Sequence, residues 1–117
     1  MNAKELKSRT KAFAVQMIEL VDRLPQSRST NVIARQIIRS GTSVGANYRA
    51  ACRAKSRADF ISKMGNVEEE CDETIYWMEL LIDAKKVESS VLDNSLREAN
   101  ELLAITVASI KTARSQK

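Results

Sequence analysis

The sequence predicts an all-α fold: an antiparallel up-down-up-down four-helix bundle, with the whole chain, 1–117, as one domain. Three observations predict it. Turn formers are scarce, one proline and three glycines in 117 residues, while Ala, Leu, Ile, Glu, Lys and Arg abound. Apolar residues recur at alternating steps of three and four, the period of a helix that buries one stripe. The breaks between periodic segments are short, so successive helices should turn back on one another as neighbours.

The first helix is expected over about 3–24, with Leu6, Phe13, Met17, Leu20 and Leu24 as its seam and Thr10 filling the gap. Pro25 ends it, lacking an N–H and disfavouring helix at the residue before it. A second helix is expected near 30–54, with Ile33, Ile37, Gly41, Val44, Tyr48 and Cys52 facing inward. Gly41 and Gly45 lie one turn apart, and each costs about 1 kcal/mol relative to alanine in a helix interior. Close approach of a neighbouring helix would account for them; so would backbone access for a ligand. Ser56 reads as an N-cap and Asp59, three positions on, as the other half of a capping-box-like pair.

That cap opens a third helix over about 57–86, where two terminal lysines suit the negative pole of the dipole. Its core face is expected to be Phe60, Met64, Val67, Cys71, Ile75, Met78 and Ile82. Ser89 or Ser90 then caps a fourth helix near 89–114, with Leu92, Leu96, Ala99, Leu103 and Ile110 on its stripe.

Charge is segregated along this frame. Between Asp22 and Asp59 there is no acidic residue, but there are eight basic ones: Arg23, Arg28, Arg35, Arg39, Arg49, Arg53, Lys55 and Arg57. The next stretch reverses the sign, with Asp59, Glu68, Glu69, Glu70, Asp72, Glu73, Glu79 and Asp83 against Lys63 alone. At about 100° per residue, Arg35, Arg39, Arg49 and Arg53 fall within an arc of roughly 80° on the second helix. None has a carboxylate at i±4, so pairing within the helix is not their purpose. Two readings compete. The stripe holds the phosphates of a nucleic acid, or it is neutralised by Glu69, Asp72 and Glu73 of the neighbouring helix.

Other chemistries find little support. Histidine is absent, which removes His-based acid–base catalysis and His ligation of metals. Cys52 and Cys71 cannot by themselves close a four-ligand zinc site and read as reduced, buried hydrophobes. Glu69, Asp72 and Glu73 could hold a divalent ion, but di-metal bundles pair their glutamates with histidines. No glycine-rich phosphate loop and no nucleophile–base pair is present, so neither an enzyme, a metal nor a cofactor is expected. No apolar run approaches the ~20 residues of a membrane span, and the N-terminus has no apolar signal core, so a cytoplasmic protein is expected. Only five aromatic residues occur, so a nucleic acid would be held by its backbone rather than by stacked bases. The C-terminal half of the third helix is apolar nearly all round, with Tyr76, Trp77 and Leu80 outside the core face. These three are the expected interface of a homo-oligomer.

The chain resembles the four-helix-bundle proteins of the 23S rRNA intervening-sequence family. The resemblance rests on Arg39-Ser40, Ser43-Val44, Ala46-Asn47, Asp59-Phe60 and above all Glu70-Cys-Asp-Glu-Thr-Ile-Tyr-Trp-Met-Glu-Leu80. Arg9-Thr10, Phe13-Ala14 and Leu24-Pro25 extend it, so that it covers about residues 6–110. Gly41, Gly45 and Arg49 depart from the family's pattern, the last making the second helix more basic than usual. The resemblance implies a small cytoplasmic bacterial bundle. The accessory variability proteins of diversity-generating retroelements are similar. They imply a homopentamer with a basic surface and two partners, a nucleic acid and a reverse transcriptase. The leading expectation is a non-enzymatic oligomer that binds structured RNA through Arg35, Arg39, Arg49 and Arg53. The alternative is a scaffolding oligomer that binds a protein and whose arginines are consumed by ion pairs.

Overall fold

The computed structural model describes residues 1–116. Four helices follow one another: α1 (Ala3–Arg23), α2 (Arg28–Cys52), α3 (Arg57–Asp83) and α4 (Ser89–Ser115). No strand occurs among the described residues. Each helix packs along its sequence neighbour, and α1 and α4 close the ring with the thinnest of the four seams. The result is an elongated up-down-up-down bundle of 50 × 21 × 19 Å, and no helix is long and apolar enough to cross a membrane.

The helix starts are set by short polar side chains. Asn2 Oδ1 accepts from the Glu5 N–H at 2.8 Å, and Ser27 Oγ from the Thr30 N–H at 3.2 Å. Because Ser27 caps α2, that helix starts two residues earlier than its periodicity suggests. Ser56 Oγ accepts from the Asp59 N–H at 3.0 Å, while Asp59 Oδ2 accepts from the Lys55 N–H at 3.0 Å, one residue before the N-cap, a variant of the expected reciprocal pair.

The α3–α4 connection departs from expectation. α3 stops at Asp83, and Lys85 takes a left-handed conformation, φ 59°. The Lys86 N–H then reaches the Leu81 carbonyl and the Lys85 N–H the Ile82 carbonyl, the Schellman arrangement that satisfies terminal carbonyls. Neither Ser89 nor Ser90 caps α4. Glu88 occupies that position and makes no side-chain cap bond.

Phe13, Met17 and Leu20 of α1, Ile37 and Val44 of α2, Met64, Val67, Cys71, Met78 and Leu81 of α3, and Leu92, Ala99 and Leu102 of α4 fill the interior. Three helices are rotated slightly from their sequence stripes. Leu81 rather than Ile82 closes the α3 core, and Ala51 rather than Cys52 the α2 core. On α4, Leu96 and Leu103 are half-buried, while Ser95, Leu102 and Thr106 turn inward. The smaller α4 residues face α1, where Gln16 Nε2 donates to Ser95 Oγ at 3.3 Å.

Both interior glycines of α2 allow close helix approach. A Cβ on Gly41 would lie 2.6 Å from Met17 Cγ, and one on Gly45 3.3 Å from the Thr10 backbone. The neighbouring helix therefore accounts for both.

Candidate nucleic-acid interface

The α1–α2 register follows from those glycines. Thr10 lies against Gly45, so in an antiparallel pair Lys7, one turn before Thr10, comes level with Arg49, one turn after Gly45. Lys11 and Arg53 extend the same rows. Lys7, Ser8, Lys11, Arg49 and Arg53 line one cleft of about 310 Å³. The four cations are exposed, no carboxylate shares the cleft, and none of the four is in an ion pair among the described residues.

The other two arginines of the stripe go elsewhere. Arg39 leans across to α3, where Nη1 lies 3.4 Å from Glu70 Oε2 and Nη2 donates to Glu73 Oε2. Its Nε also donates to Gln36 Oε1 at 3.0 Å. Glu73 accepts a further bond from Trp77 Nε1 at 3.0 Å, so Arg39 belongs to a network that ties α2 to α3. Glu69 and Asp72 are exposed and pair with no arginine among the described residues. Arg35 lies fourteen residues before Arg49, about 21 Å along the helix. It sits in a separate cleft that also holds Asp22, Gln26 and Asn31.

The stripe thus divides by flank: Arg49 and Arg53 toward α1, Arg39 toward α3, Arg35 toward the far end. Lys7 and Lys11 did not enter the sequence-based site. Their i,i+4 spacing beside Thr10 was a usable signal once Gly45 fixed which level of α2 they meet.

The α3 residues outside the core are graded in exposure. Tyr76 is 55% exposed and its ring stands edge-on to Trp77 at 5.2 Å, while Trp77 and Leu80 are half-buried. No cluster of three or more potential metal ligands occurs among the described residues.

A small antiparallel bundle with an acid-free basic cleft on its first hairpin is the class of protein these observations define. The sequence pattern of the 23S rRNA-intervening sequence protein family matches residues 4–108, and the chain belongs to that family. It is also similar to a solved structure, that of a protein with unknown function from the S23 ribosomal protein family from Bacteroides thetaiotaomicron. The two are 36% identical with a TM-score of 0.86, over 95% of this chain and 99% of that one. Comparison with curated proteins gave no match.

Proposed function

We propose that this protein is a non-enzymatic, cytoplasmic nucleic-acid-binding bundle that holds the phosphate backbone of structured RNA in the α1–α2 cleft. The observation that supports it most is the set of four exposed cations, Lys7, Lys11, Arg49 and Arg53, lining one cleft without a carboxylate. Two arginines supply planar forks suited to phosphate, and the lysines supply mobile point charges. No aromatic side chain lines the cleft, which favours contacts to the backbone over stacked bases. Arg35, on the same helix face but about 21 Å away in a cleft shared with Asp22, lies outside this set of four.

About four phosphate contacts should give a log–log dependence of affinity on salt with a slope of about −3. The test is binding of a structured RNA at increasing ionic strength, to the parent and to the Lys7→Gln, Lys11→Gln, Arg49→Gln, Arg53→Gln variant. The slope should collapse in the variant while the helical signal stays. No affinity at low salt, or unchanged affinity in the variant, overturns the reading.

A second reading rests on the Arg39–Glu70–Glu73–Trp77 network. It treats α2 and α3 as a scaffold whose outer face, Tyr76, Trp77 and Leu80, meets another subunit or a protein such as a reverse transcriptase. A homo-oligomer is compatible with both readings, and the pentamer is what the resemblance implies. Light scattering that finds a monomer at micromolar concentration excludes it.

A further inference from the structure

One end of the bundle is open. α1 and α3 begin there and α2 and α4 end there, leaving a cavity of about 660 Å³ between them. That volume lies within the ~300–1,000 Å³ of clefts that hold small molecules. Its walls combine an apolar part, Leu6, Phe60, Ile105, Ala108 and Ala113, with the polar residues Ser109, Thr112 and Gln116 of α4 and its end. Two polar groups stand out. Tyr48 is only 6% exposed yet lines the cavity, and its hydroxyl has the Cys52 thiol one turn on as its polar neighbour, a weak partner. Burial first, and then that thiol, push the phenol up to about 12, so it remains an O–H donor across the physiological range.

Arg57, the first residue of α3, is exposed on the rim and donates to the Gln116 carbonyl. It pairs with no carboxylate among the described residues, and no carboxylate lines the cavity. This arginine belongs to the acid-free basic run but lies apart from the α1–α2 cleft, and its one side-chain partner among the described residues is the carbonyl at the end of α4.

We propose that the end cavity binds a small carboxylate with an apolar tail. The tail packs on Leu6, Phe60 and Ile105, and the carboxylate accepts from Arg57 and the Tyr48 hydroxyl. A single guanidinium matches a carboxylate through two parallel hydrogen bonds. An anion without a tail gains only the contact with exposed Arg57 and forgoes the apolar burial on Leu6, Phe60 and Ile105, so it binds more weakly.

Decanoate tests the assignment by titration calorimetry, with acetate, which lacks the tail, and 1-decanol, which lacks the charge, as controls. Decanoate should bind saturably at one site per chain, and both controls at least about tenfold more weakly. Arg57→Gln should weaken decanoate about tenfold. Ala108→Trp, at an exposed wall position, should fill the cavity and abolish binding while the thermal transition and helical signal persist. Non-saturating decanoate, equal binding of 1-decanol, or unchanged binding in either variant overturns the proposal.

Discussion

Arg39 and Arg49 sit ten residues apart on one face of α2, yet the helices beside them give the two side chains opposite surroundings. Arg39 is committed to Glu70 and Glu73, and Arg49 to a cleft of cations. The Arg39 side chain is 48% exposed, so its pairing contributes well under about 1 kcal/mol to stability after solvent screening. Arg39→Gln should therefore leave RNA affinity within a factor of about two, whereas Arg49→Gln should reduce it several-fold and flatten the salt slope by about one. Fluorescence titration at two salt concentrations separates the cases, and equal losses would contradict the division of the stripe. Helical arithmetic placed the four arginines on one face. It could not say toward which flank each leans, because that depends on the register between helices. The cysteines divide in the same way. Cys71 is fully buried, and burial first, then the charges of Glu70, Asp72 and Glu68, raise its thiol to about 12. At pH 8 a thiol reagent should label half-buried Cys52 first, and Cys71 only at the rate of unfolding.

At the scale of the element, the periodic signal carried the four helices and the caps carried their starts. The ends were less legible. α3 stops where Lys85 turns left-handed, a conformation favoured by glycine or asparagine and not advertised by lysine. The α4 stripe was displaced because Ser95 and Thr106 turn inward where α1 passes, a packing choice that hydropathy alone does not encode. Two substitutions follow from local geometry. A Cβ on Gly65 would meet nothing within 4 Å, so Gly65→Ala should stabilise by about 1 kcal/mol through helix propensity. Gly41→Ala should destabilise, since its Cβ would lie 2.6 Å from fully buried Met17. Urea midpoints should move in opposite directions. The α3 cap gives a pH signature as well. Asp59 is held below the usual carboxylate range first by Lys63 and then by the Lys55 N–H. With the folded pKa depressed, its stabilisation is present above about pH 4, the unfolded value, and is lost as pH falls through the folded one. Asp59→Asn should flatten the stability profile below pH 4, and a parallel profile for the two proteins would refute the linkage.

For the whole molecule, the distribution of contacts matters more than any single one. The three hairpin seams rest chiefly on apolar packing, the α2–α3 seam adding the Arg39 network and the Thr74–Ser40 hydrogen bond, while the thin α1–α4 seam leans on polar ties. Arg9 Nε and Nη2 reach both oxygens of Glu98 at 2.8 and 2.7 Å, and Nη2 reaches Glu101 at 2.8 Å. Glu98 is the first cause, and Glu101 the second, of an Arg9 pKa raised above its ordinary value. Arg9→Met should lower stability by about 1 kcal/mol, a two-pronged and partly shielded pair being worth more than an open surface one. The charge-separated design was legible from the sequence; the closing clamp was not, because its partners are 89 positions apart. That distance has a kinetic consequence. Consecutive hairpins can form by closing short loops, whereas joining α1 to α4 must wait for everything between them. Arg9→Met should therefore leave the refolding rate nearly unchanged and speed unfolding, and stopped-flow chevrons of parent and variant should share one arm and part along the other.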